Sequence, residues 1–447
     1  MKPETVAAYD RPVPRYTSYP TAAQFDASIG PAQHSEWLQD LNGTASSLYL
    51  HVPFCRELCW YCACHTMAMR RPGTLDGYAD ALADELVRIN RAAPGLIVDA
   101  IQWGGGTPSQ LGAARLRKIG RRITTLFDRR TDSEMSFELD PRQCNGAIAE
   151  AIAEIGVTRI SLGVQDFDPA VQQAINRTQS FETTAAAIGM LRAEGIRRFN
   201  IDLVYGLPRQ TLESLDRTLD LAIQLSPSRF AVFGYAHVPW MKPHQKLIDE
   251  KTLPEGRLRS EMAQRVTDRL VEAGYVRIGL DHYARPGDAL AVAATNGKLQ
   301  RNFQGYVADK SSWVIGVGAS AISSLPRGFT QNVADPAQYM AAISEGRFAT
   351  ARGIRLTDDD RLRGAIIERL MCDNRVDLEQ ECRRFKVDPE AFVVSIDQLP
   401  ALEQDGVIAR ADGQLALTDE GRPLVRFVCA AFDRHFSGAS GRHSRGI

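Results

Sequence analysis

Four of the chain's eight cysteines fall within ten residues, in the segment His51-Val-Pro-Phe-Cys55-Arg-Glu-Leu-Cys59-Trp-Tyr61-Cys62-Ala-Cys64. A single free cysteine is most often a small buried filler, and the scattered Cys144, Cys372, Cys382 and Cys429 are read that way. A tight group needs another explanation. Thiolates spaced C-x3-C-x2-C on one loop can hold three irons of a 4Fe–4S cluster and leave the fourth iron open to a small ligand. A zinc site would want four ligands, usually with a second, distant pair; here only Cys64 and His65 are extra candidates nearby. Cys62 and Cys64 are one residue apart, so extended backbone would send their side chains to opposite faces, and one metal would rarely take both. The spacing favours a cluster on Cys55, Cys59 and Cys62, with Cys64 free for another task.

Such a loop needs a scaffold. Apolar, β-rich runs occur at 47–54, 100–105, 135–140, 159–165, 198–205 and 229–236. Between them, helical spacing of apolar residues begins at 74, 109, 146, 181, 211 and 254. Six strand–helix units in succession predict a parallel sheet with helices packed outside it. Six rather than eight predict a partial or open (β/α)6 barrel of TIM type, which runs from 276 and 313 could extend. Active sites of such folds form at the C-terminal ends of the strands, where the cysteine loop follows the first. Gly104, Gly105, Gly106 and Thr107 close the second strand, Glu138 the third, Gln165 the fourth, Asp202 the fifth, and Tyr235-Ala236-His237 the sixth. One carboxylate after a strand is as often a helix cap as a ligand. Polar residues at four successive strand ends facing one mouth point instead to a binding site. The glycines allow close approach of a ligand to backbone, and the carboxylates Glu138 and Asp202 could accept a ligand's hydroxyls.

The rest of the chain reads as two attachments. Residues 1–45 carry little periodicity and read as an arm lying over something. After about Arg352, helical runs precede LEQDGVIARADGQLALTDEG, where two short β-runs flank an Asp-Gly turn. The expected domains are thus an arm over 1–45, the barrel with its extension over 46–350, and a mainly helical, winged-helix-like cap over 351–447. The whole is an α/β fold. With 53 basic and 54 acidic residues, bulk charge argues against nucleic-acid or membrane-surface binding. The N-terminus lacks the apolar core of a signal peptide, and no run is apolar and long enough to span a bilayer. A cytoplasmic, monomeric protein is the expectation.

The cysteine spacing after the first strand of a partial barrel, with Tyr61 before the third cysteine, resembles the radical S-adenosylmethionine superfamily. Further segments narrow the resemblance: Arg15-Tyr-Thr-Ser-Tyr-Pro-Thr21, Tyr49-Leu-His51-Val-Pro53, Cys64, Glu138-Leu-Asp-Pro-Arg142, Gly163-Val-Gln165-Asp-Phe167, Asn176-Arg177, Asn200-Ile-Asp202 and Tyr235-Ala236-His237. Downstream, Asp281-His282-Tyr-Ala-Arg285-Pro, Arg301-Asn-Phe-Gln304-Gly-Tyr306 and Gly318-Ala-Ser-Ala-Ile322-Ser continue it. Together they are similar to the oxygen-independent coproporphyrinogen III oxidase family, from about residue 10 to beyond 430. The resemblance implies oxidative decarboxylation of two propionates of coproporphyrinogen III to vinyl groups, giving protoporphyrinogen IX. It implies a 5′-deoxyadenosyl radical from S-adenosylmethionine, and an electron donor and acceptor.

By matching positions, Cys55, Cys59 and Cys62 would bind a 4Fe–4S cluster whose fourth iron is chelated by S-adenosylmethionine. Tyr49, Gly105, Glu138, Gln165, Arg177 and Asp202 would surround that molecule. Gly106, Thr107, Phe233, Ala236 and Ile322 would surround a second, and Cys64 would be required without being a cluster ligand. Four substrate propionates call for cationic partners; Arg15, Arg285 and Arg301 are the candidates. Lys310-Ser-Ser-Trp313 departs from the acidic, glycine-rich stretch expected there. The rivals on the same scaffold are a haem-binding chaperone and a haem-modifying radical methyltransferase. The first is disfavoured by Cys64 and the RYTSYP arm, and product mass would separate the second. A DNA-binding role for the cap is weakened by its lack of a basic helix.

Overall fold

Ala45–Val52 (β1) is buried along almost its whole length, as expected of a parallel strand covered on both faces. The computed structural model describes residues 9, 11–69, 73–308 and 311–436; of the Lys310-to-Trp313 stretch, Lys310 lies outside them. After β1 come Ile97–Gly105 (β2), Asp128–Leu139 (β3), Arg159–Gln165 (β4), Arg198–Tyr205 (β5) and Arg229–Gly234 (β6). Their helices are Thr74–Ala92 (α1), Ala113–Leu126 (α2), Gly146–Glu154 (α3), Phe181–Ala193 (α4), Leu212–Gln224 (α5) and Gly256–Glu272 (α6). Neighbouring strands from β1 to β6 pair in parallel. Local chemistry starts the helices: the side chains of Asn145, Ser180 and Thr211 accept backbone N–H groups at the heads of α3, α4 and α5.

The run from 313 supplies Val314–Val317 (β7), which pairs in parallel with β1 and makes a seventh parallel strand on the open side. Strands 322–325, 328–332 and 350–355 continue that side antiparallel, while 282–284 and 276–278 continue past β6. The result is one open sheet of twelve strands. Its last strand ends at Arg355. One large apolar core joins sheet and helices, built around Trp37, Trp103, Phe137 and Phe199.

Beyond it, Asp358–Asp373 (α7) starts at a Thr357–Asp360 capping box. Strands 408–411 and 414–417 form the hairpin, its Asp412 and Gly413 both at positive φ, and 375–377 adds a third strand. A second apolar core fills this region, and Val13, Tyr16 and Tyr19 from the arm are part of it. The arm and the C-terminal region therefore share a core. Cys372, Cys382 and Cys429 are buried and Cys144 half-buried. Among the described residues no helix is long and apolar enough to cross a membrane.

Candidate active site

The loop from Cys55 to Thr66 leaves the C-terminal end of β1 and is closed at its base, where Phe54 and Cys55 pair with Met67 and Ala68. Other elements pin it from three sides. Trp60 N–H donates to Ile175 O at 2.9 Å, and Asn176 Nδ2 to Leu58 O at 3.1 Å. From the segment after β6, Gln245 Nε2 donates to Tyr61 O (2.8 Å), His244 Nε2 to Cys62 O (2.7 Å) and Lys242 Nζ to Cys64 O (2.7 Å). From beneath, His51 Nε2 donates to His65 O at 3.0 Å, which leaves Nδ1 to accept from Tyr49 Oη at 3.0 Å.

Each of the three thiols has a polar neighbour. Thr107 Oγ1 lies 3.7 Å from Cys55 Sγ, Arg177 Nη1 3.4 Å from Cys59 Sγ, and Thr66 Oγ1 3.9 Å from Cys62 Sγ. The expectation that Cys62 and Cys64 face apart is overturned. The backbone bends at Cys64 and His65, which leaves the two thiols near enough to act on each other, drawing Cys62 down and pushing Cys64 up. Cys64 is exposed. Among the described residues no three His, Cys, Asp or Glu side chains gather as a single metal ion would require. A 4Fe–4S cube takes one thiolate per iron, so its ligands stand apart; three thiols on one pinned loop, each beside a donor, fit that group.

The strand ends complete the mouth. A Cβ on Gly104 would lie 2.6 Å from Glu138 Oε1, one on Gly105 2.7 Å from His51 Cε1, and one on Gly106 2.7 Å from Phe54 O. Gly105 also has φ +113°, and the atoms that Gly106 would meet are backbone, so these two positions require glycine. Glu138 accepts from Gly105 N (3.1 Å) and Gln102 Nε2 (3.2 Å). Burial, then the like charge of Asp202, raises it to about 7. Asp202 accepts from Ser161 Oγ (2.9 Å) and Asn200 Nδ2 (2.6 Å), and burial raises it too.

Gln165 sits at a register shift between β4 and β5 with φ +73°. A bulge there re-aims its side chain, a strained geometry of the kind found at functional sites. Arg177 is buried and donates to Gly163 O at 2.5 Å and to Asp140 Oδ2 at 3.4 Å, besides Cys59. Phe233 faces His282, ring to ring at 5.8 Å; Ala236 O accepts from Gln245; Ile322 lies across β7 against Gly316. All these expected residues come to the C-terminal face of the sheet. Arg285 does not: its N–H bonds Ser228 O, below the start of β6, and its guanidinium stacks on Tyr275 at 4.3 Å.

The sequence reading missed the clamp made by His51, Lys242, His244 and Gln245, and the carboxylate Asp281. Burial opposes charge on Asp281, but His282 (2.7 Å), Arg301 and Arg15 outweigh it and hold the group at about 2.

Comparison with known proteins decides the family. Residues 49–222 match the Radical SAM superfamily, and residues 356–424 match the HemN C-terminal domain. A protein of Bradyrhizobium diazoefficiens named oxygen-independent coproporphyrinogen III oxidase is 45% identical over 100% of both chains. The chain belongs to the oxygen-independent coproporphyrinogen III oxidase family. A family member from Pseudomonas aeruginosa is 38% identical over 97% of this chain and 95% of its own. The solved coproporphyrinogen III oxidase of Escherichia coli, described as a radical SAM enzyme, superposes with a TM-score of 0.90. It is 36% identical, over 94% of this chain and 98% of that one. Membership implies a 4Fe–4S cluster and S-adenosylmethionine as cofactors.

Proposed function

We propose that this protein converts coproporphyrinogen III to protoporphyrinogen IX without oxygen, turning two propionates into vinyl groups. The observation that carries the reading is the joint presence, in a chain similar end to end to named oxidases of this reaction, of a pinned three-thiol loop and the extra Cys64 beside it. When bound, the cluster and S-adenosylmethionine supply the one-electron cleavage that yields a 5′-deoxyadenosyl radical. The substrate side balances: each propionate loses a hydrogen atom from its β-carbon, one electron and carbon dioxide to become a vinyl group.

The chain's own residues prepare this. Cys55, Cys59 and Cys62 would hold the cluster, and Arg177 would offset charge at Cys59. Glu138 and Asp202, fixed by Gln102, Ser161 and Asn200, would accept ribose hydroxyls. Tyr49, Gly105 and Gln165 would border the same molecule. Gly106, Thr107, Phe233, Ala236 and Ile322 would surround a second S-adenosylmethionine. Cys64, exposed at the mouth, would act on substrate as a catalytic residue. An external electron donor and an electron acceptor belong to this reading, as do a monomeric state and a cytoplasmic location. The test is anaerobic reconstitution with iron, sulfide, dithionite, S-adenosylmethionine and coproporphyrinogen III. A porphyrin lighter by two carboxyl groups' worth of carbon dioxide and hydrogen, with 5′-deoxyadenosine, is expected. Deoxyadenosine with an unchanged porphyrin would contradict the substrate.

A further inference from the structure

Where the arm, the far end of the sheet and the C-terminal core meet, arginines gather that the cofactor site does not use. Arg426, buried on the helix Val425–Phe432, donates to Val13 O and, at 2.9 Å, to Pro14 O. Arg301 Nε donates to Tyr16 O at 3.3 Å while its guanidinium lies over the Tyr306 ring at 4.4 Å. Tyr16 Oη donates to Asp433 at 3.1 Å. The arm's backbone is therefore gripped on both sides of Arg15, and its direction is fixed.

That grip carries Arg15 to the C-terminal end of β6, where Nη2 reaches Gly234 O at 3.3 Å. Among the described residues this is its one hydrogen bond, long for a group with five N–H donors. Arg15 is exposed, and the charges of Asp281, Arg301, Tyr205 and Cys64 act on it. Behind it, Arg301 Nη1 is buried with no partner. Asp281 is already tied to His282. Asp281 answers the charges of Arg15 and Arg301, while the nearby carboxylates Glu368 and Asp433 bond Arg301 N–H and Tyr16 Oη; the Arg15 guanidinium keeps donors that a carboxylate-bearing ligand would take up.

We propose that Arg15 is a specificity-determining residue that takes a propionate carboxylate of the substrate in a forked pair, with Arg301 behind it holding the arm and adding charge. This rests on the porphyrinogen reading above, and it names the group that reads the substrate's acid side chains. Arg426, committed to arm carbonyls, positions and does not bind.

The test uses the reconstituted full chain as wild type, R15Q and R15K, with iron content and cluster absorbance as the check on folding. KM and kcat for coproporphyrinogen III are read by product mass. Binding of coproporphyrin III and of its tetramethyl ester is read by quenching of protein fluorescence. R15Q should raise KM about ten- to hundredfold, with a smaller fall in kcat, the loss of one charge-assisted pair. R15K should recover part of this, since it keeps the charge and loses the fork. The ester should bind wild type and R15Q equally. A wild-type KM in both variants, or an equal loss of ester binding, would overturn the proposal. A wild type that binds the tetracarboxylate through Arg15 but leaves it intact would sink the decarboxylation reading and keep the carboxylate site.

Discussion

The mouth of the sheet and the junction of arm and cap are built in opposite ways. At the mouth, successive strands of one repeating pattern each end on the same face, so Gly105, Glu138 and Asp202 arrive there in order, with Gln165 re-aimed by its bulge. At the junction, contacts between residues some four hundred positions apart set the geometry, as in Arg426 on Pro14 and Tyr16 on Asp433. The first arrangement suits a cofactor of fixed shape. The second places a substrate-facing arginine on a strap that only the completed fold can hold.

The sharpest break between the two regions comes from the loop. Replacing any of Cys55, Cys59 or Cys62 by Ala should remove the cluster and all turnover, seen as lost visible absorbance and iron, while thermal unfolding of the cap's separate core changes little. Cys64→Ser should keep the iron and abolish vinyl formation; a variant retaining wild-type decarboxylation would remove Cys64 from the chemistry. At the junction, Arg426→Ala should destabilise the arm and cap by about 2–4 kcal/mol, because it leaves buried carbonyls of Val13 and Pro14 unpaired. Denaturant melts followed by hydrogen exchange would locate that loss away from the cysteine loop.

A pH effect belongs to the sheet side. Glu85 on α1 is buried and accepts from Gly318 N, Tyr339 Oη and Asn332 Nδ2. Burial raises it from 4.5 to about 7. The native state therefore keeps a proton that the unfolded chain releases, so this contribution is full below pH 4.5 and lost as pH rises through about 7. Glu85→Gln should flatten stability against pH across that window; an unchanged slope would show that Glu85 titrates normally. Smallest is Tyr16→Phe, which loses one bond to Asp433 and about 1 kcal/mol, measurable as a small shift in the unfolding midpoint.

The same contrast explains what the sequence made legible. Six strands and six helices followed from periodicity, because each packs one apolar face against its neighbours in order. Asp412-Gly413 announced the hairpin through its turn chemistry. The position of Val314–Val317 beside β1 did not follow, since periodicity finds a strand but not its partner. The run from 313 to 325 reads as one strand but folds as two, 314–317 and 322–325, and strands 328–332 and 350–355 were missed because Gly-Phe-Thr-Gln-Asn and Thr-Ala-Arg-Gly-Ile-Arg carry little apolar alternation. The opposed placement of Cys62 and Cys64 failed for a related reason: it assumed extended backbone, whereas Lys242 and His244, some 180 residues away, hold a bent one. Arg285 matched a motif yet lies at the wrong end of β6.

The central claim is that a radical formed beside the cysteine loop attacks the substrate's propionate. Coproporphyrinogen III deuterated at the propionate β-carbons, turned over by the reconstituted enzyme, tests it most directly. Deuterium should appear in 5′-deoxyadenosine in step with vinyl formation. Unlabelled deoxyadenosine alongside a decarboxylated product would contradict hydrogen abstraction at that carbon and with it the account of the site.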